Sequence, residues 1–142
     1  MTYNEKVEFL KNYKYLKAKI KALLKEREFY QNQRIKYAGS IIRPSSSTNS
    51  LDNGFSFVVA TLSEIEYDLS CKIKQAREEL NEVVKAIESI EEVNQRTVLM
   101  LHYINGHTFE RIAKMMPYSS RHYVSELHKI AITRMSVTNR NK

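Results

Sequence analysis

The chain has 142 residues, 42% of them apolar, with only three glycines and two prolines and a formal net charge of +7. That length suits one domain, or a small domain with an extended appendage, and so few turn-formers predict a helix-rich, all-α chain. No run approaches the roughly 18 to 20 apolar residues that span a membrane. The charged start MTYNEKVEFLKNYK lacks a signal-peptide core, and a single cysteine, Cys71, cannot form an internal disulfide, so the expectation is a soluble cytoplasmic protein.

Residues 1–37 read as one long helix. Phe9, Leu16, Leu23, Tyr30 and Tyr37 recur every seven residues, and Tyr13 and Ile20 fill the interleaved row that Arg27 and Arg34 continue. The segment carries ten Lys/Arg against four Asp/Glu. Residues 38–54, AGSIIRPSSSTNSLDNG, change to Ser, Thr, Asn, Gly and Pro and predict a flexible loop.

From Phe55 the helical period returns. Val58, Leu62, Ile65, Leu69, Ile73, Ala76, Leu80, Val83, Ile87 and Ile90 form a heptad seam with one extra residue between Leu69 and Ile73. A helix of about 35 residues would run roughly 50 Å. Residues 55–93 hold four basic and nine acidic residues, complementary to the first segment. The expected architecture for 1–93 is therefore a long antiparallel, coiled-coil-like two-helix arm, which either closes on itself or pairs with a second copy as a homodimer.

Residues 94–142 hold eight basic and two acidic residues, a surplus suited to a polyanion. Three helices fit here. The first ends at Asn105-Gly106, with the glycine beyond the C-cap. Thr108 caps the second, which carries Phe109, Ile112 and Ala113, and Pro117 makes Met116 reluctant to stay helical. Ser119 or Ser120 caps the last, whose inward stripe is Val124, Leu127 and Ala131.

The last two helices have the form of a helix-turn-helix, whose second helix enters the major groove while the first braces it. Ala113 supplies the small contact residue, and Tyr123 or Val124 anchors the second helix. Ser119 and Ser120 suit a phosphate oxygen at the helix start. Arg121, His122, Ser125 and Lys129 offer groups to base edges or phosphates, and Arg121 has the bidentate geometry for guanine. Arg111, Lys114, Lys129 and Arg134 add sequence-independent attraction. Tyr118, in the turn, covers the small core or touches the DNA backbone.

RTVLMLHYINGHTFERIAKMMPYSSRHYVSELHKIAI resembles the C-terminal region of phage proteins with a sigma-factor region-4-like helix-turn-helix. It is similar in particular to the ArpU/RinA-like regulators of late transcription in phages of Gram-positive bacteria. The matching elements are Arg96–Leu99, Tyr103-Ile104-x-Gly106, Phe109-Glu110-x-Ile112-Ala113, Tyr118-Ser119, Arg121-His122 and Leu127-His128-Lys129-x-Ala131. NEKVEFLKNYKYLKAKI resembles the helical start of members of that group. The resemblance implies a small helix-turn-helix domain at 94–142, double-stranded DNA and RNA polymerase as partners, and a bacterial host cytoplasm.

Other chemistry finds no support in spacing. His102 and His107 are five apart and His122 and His128 six apart, neither an i, i+4 ligand pair, so surface or groove-facing histidines are expected and no metal. No phosphate-binding glycine loop or catalytic set is present, so neither cofactor nor enzyme activity is expected. Two readings compete with a transcriptional regulator: a small DNA-packaging terminase subunit, and an interaction module that does not bind DNA.

Overall fold

The computed structural model describes residues 1–42, 49–117 and 120–137, with the side chains of 40–42, 49–53 and 55 outside the description. Every element among the described residues is helical. They are α1 (Tyr3–Ile42), α2 (Asn49–Glu88), α3 (Val93–Leu99), a π-helical turn continuing α3 (Met100–Ile104), α4 (Phe109–Met115) and α5 (Arg121–Arg134). No described helix is long and apolar enough to cross a membrane.

α1 opens on a reciprocal cap. The Thr2 hydroxyl accepts from the Glu5 N–H at 3.2 Å, and the Glu5 carboxylate accepts from the Thr2 N–H at 2.8 Å, satisfying two donors the first turn leaves without partners. Helix occupies both ends of the stretch expected as a loop, since α1 runs through Gly39 to Ile42 and α2 begins at Asn49. A lone helical glycine costs only about 1 kcal/mol, too little to end so long a helix. The middle of that loop, 43–48, lies outside the described residues.

The chain divides into two compact units, Ala18–Arg77 and Met1–Lys17 with Glu78–Lys142. In the first, α1 and α2 pack against each other. Leu69, Ile73 and Ala76 of the seam are buried, so the extra residue between Leu69 and Ile73 is absorbed without exposing either. Arg27 donates to the Ser70 hydroxyl at 3.3 Å, and Arg34 pairs with Glu66 at 2.9 Å. Those two contacts fix an antiparallel direction, because the partner number falls as the α1 number rises.

In the second unit two apolar clusters stabilise the C-terminal helices. One joins Leu10 and Tyr13 of α1 and Val83, Ala86 and Ile87 of α2 to Leu99, Ala131, Ile132 and Met135. The other holds Val98, Ile112, Val124 and Leu127, with Phe109 and Ala113 against it. Each fully buried Leu or Ile contributes about 1.5–3 kcal/mol. Residues 94–142, expected to stand as a domain of their own, thus share a core with the start of α1 and the end of α2. Three short helices bury too little surface alone, and here they do so against the ends of the two long ones. Lys6 of α1 adds a bond from Nζ to the Thr133 carbonyl, 3.2 Å, at the end of α5, where a cation offsets the partial negative charge of a helix C-terminus.

Candidate nucleic-acid interface

The segment after α2 is built by caps. Glu92 accepts from the N–H groups of Asn94 and Gln95 at the start of α3. At the other end the helix widens: the Asn105 N–H reaches the Met100 carbonyl at 3.1 Å, and the His107 N–H reaches Leu101 at 2.9 Å. Gly106, at φ 76°, makes this closure without strain. A π-turn of this kind rotates the residues it carries relative to a regular helix. Here it places Tyr103 over His128, with the hydroxyl 2.7 Å from Nε2, and His102 against Phe109 with ring centroids 4.6 Å apart.

His128 is therefore not a surface or groove-facing histidine. It is buried in an aromatic cluster because its turn of α5 faces α3, and burial, then the neighbouring His102 and Lys129, push its pKa down to about 4. The His102 Nδ1 donates to the His107 carbonyl at 2.8 Å, so that ring ties the chain just before α4. Among the described residues no three His, Cys, Asp or Glu side chains gather as metal ligands.

α4 begins where Thr108 accepts from the Arg111 N–H and ends at Met116, whose extended backbone (φ −95°, ψ 128°) is the conformation Pro117 imposes on its predecessor. α5 begins at Arg121 on Ser120, whose hydroxyl accepts from the Tyr123 N–H at 3.2 Å. Ser119 and Tyr118 lie outside the described residues. Val124 is fully buried against Ile112, whereas Tyr123 is 44% exposed. Val124 is thus the residue that anchors α5, and Tyr123 is not.

The remaining site residues separate into groups. Arg111 and Lys114 are exposed on α4, and Ser120, Arg121, His122 and Lys129 are exposed along α5. Ser125 is half-buried, leaving less of it for a ligand. Arg134 stands in the last turn of α5, about 20 Å from Arg121 by helical rise, and faces a hollow lined by Ser89, Glu91, Glu92 and Gln95. It does not join the others.

Two carboxylates that sequence reasoning passed over enter this surface. Glu110 pairs with Arg121 at 3.3 Å, and Glu126 with Lys129 at 3.7 Å. Both pairs are exposed, so each contributes at most about 1 kcal/mol and is readily exchanged for a phosphate. The 11-residue offset between Glu110 and Arg121 crosses the turn, and no local spacing rule could have found it.

A family model described as "Protein of unknown function (DUF1492)" matches residues 45–136. The chain belongs to the DUF1492 family. The DUF1492 match takes in all of α2, α3, α4 and α5 and leaves α1 outside it. No curated protein matches the chain, and no solved structure does. What the DUF1492 region can do chemically is therefore read from its surface. It offers cationic and hydrogen-bonding groups at the start of an anchored helix, braced by a second short helix.

Proposed function

We propose that the chain is a sequence-specific DNA-binding transcriptional regulator of a phage or prophage, in which α4 and α5 form the helix-turn-helix. One observation carries the reading. Val124 is sealed against Ile112 while Arg121, His122, Lys114 and Arg111 stay exposed around the same turn, the division of labour such a unit requires. Arg121 and His122 contact base edges, and Ser120, Arg111, Lys114 and Lys129 hold phosphates. RNA polymerase is the protein partner that the sigma-like resemblance suggests, and the arm of α1 and α2 is the element through which two copies would join.

Selection of bound duplexes from a random pool, followed by anisotropy titration at several salt concentrations, tests this. A recovered consensus and an affinity that falls steeply with salt are expected. Absent or salt-independent binding would remove DNA as the ligand and leave a protein-interaction module.

A further inference from the structure

The structure holds a second cationic surface, on an element that lies outside both the helix-turn-helix and the family match. Lys11, Lys14 and Lys17 of α1 line one side of a cleft of about 630 Å³, and His102, His107 and Thr108 line the other, over a floor that includes Tyr13 and Tyr103. No carboxylate lines it. The chain has no Asp or Glu between Glu8 and Glu26, nor between Glu92 and Glu110, so both walls are free of acidic residues in sequence as well. Lys11 has Glu8 at 3.6 Å, an exposed pair of little worth, and Lys14 and Lys17 have no ion pair among the described residues. The three ammonium groups stand at i, i+3 and i+6, about 9 Å along the helix. With the length of the flexible lysine side chains added, that row can reach two to three successive phosphates of one strand.

The position of the cleft decides its occupant. Thr108 is the cap of α4, and in a helix-turn-helix the first helix crosses the sugar-phosphate backbone. A strand lying over α4 therefore continues towards this cationic wall. Resting on the proposed DNA-binding reading, we infer that Lys11, Lys14 and Lys17 form a second phosphate track, which holds the duplex flanking the segment read by α5. α1 would then be part of the DNA-binding surface, besides its place in the core of this unit.

The test uses the full chain with Lys11, Lys14 and Lys17 all replaced by glutamine, and a control with Lys72→Gln and Lys74→Gln, exposed on α2 in the other unit. Circular dichroism confirms folding, since all five lysines are exposed. DNA affinity is measured by anisotropy between 50 and 200 mM salt on the selected duplex. Three lost phosphate contacts at about 0.9 each reduce the salt slope by about 2.7, so the wild type loses about 40-fold more affinity over that interval than the triple variant. The control keeps the wild-type slope. A triple variant with the wild-type slope overturns the second track and leaves the helix-turn-helix reading standing, with an acidic protein segment as the remaining occupant of the cleft. A wild type that binds no DNA overturns both.

Discussion

The Tyr103 hydroxyl lies 2.7 Å from Nε2 of His128, with the two rings stacked at 5.6 Å. Burial pushes the phenol pKa up to about 12 and the imidazole down to about 4, so at neutral pH the bond joins two uncharged groups. Below the ordinary histidine pKa of 6.5 the unfolded chain takes up a proton that the native chain refuses until about pH 4. Stability is therefore expected to fall as the pH drops through that window, and to be indifferent to this residue above it. Urea unfolding at pH 7 and pH 5 checks the sign. The wild type should lose more stability than His128→Gln, which cannot protonate; equal losses would remove His128 as the cause.

The anchoring of α5 predicts an asymmetric pair of substitutions. Val124→Ala opens a hole beneath the helix and should cost about 2 kcal/mol, whereas Tyr123→Ala, on the exposed face, should change stability by about 0.5 kcal/mol or less. Thermal unfolding of the two variants compares them directly. The reverse order would reassign the anchor to Tyr123.

Ser120 and Thr108 each satisfy one backbone donor at a helix start. Ser120→Ala and Thr108→Ala should each cost about 1 kcal/mol, while glycine at either site costs only a few tenths. Denaturant midpoints of the four variants would show whether the caps or merely the turn conformation matter.

Glu110 holds Arg121 across the turn. If Arg121 reads DNA, it must leave that carboxylate, so Glu110→Gln should tighten binding several-fold through reduced repulsion of phosphate. Arg121→Ala should relax discrimination at the base pair it contacts, by about 1–3 kcal/mol, and Lys114→Ala should weaken all duplexes alike. Competition titrations with specific and random duplexes separate the two. An Arg121→Ala protein that discriminates at every position as the wild type does would end that assignment.

Leu10 is fully buried with Ala131 and Ile132 in one cluster. Leu10→Ala should cost about 2–5 kcal/mol and should broaden the NMR signals of α5 methyl groups, although more than a hundred residues separate them in sequence. Undisturbed α5 signals would mean that residues 94–142 hold together without α1.

Local patterns determined the helices and most of the later boundaries, but not the inner ends of α1 and α2, which run into the stretch expected as a loop. The seven-residue spacing from Phe9 to Tyr37 and the seam from Val58 to Ile90 specify two long helices. Asn105-Gly106, Thr108, Met116-Pro117 and the pair Ser119-Ser120 mark the later boundaries, because capping and proline sterics act within about four residues; which of the two serines caps α5 is decided by the structure. The inward stripe of Val124, Leu127 and Ala131 was legible for the same reason.

Relations across the chain belong to tertiary structure alone. Local spacing offers two anchors, Val124 through the stripe with Leu127 and Ala131 and Tyr123 four residues before Leu127; the position of Ile112 on another helix decides between them. His128 looked like one more polar residue on a basic helix, and only the packing of its turn of α5 against α3 and the π-turn after it makes it buried and neutral. The Glu110–Arg121 pair, the sharing of one core by Leu10 and Ile132, and the facing of Lys14 towards His107 arise in the same way. Each depends on where separate helices come to rest, and that is set by the summed burial of apolar surface over the unit, a quantity that no short window of residues contains.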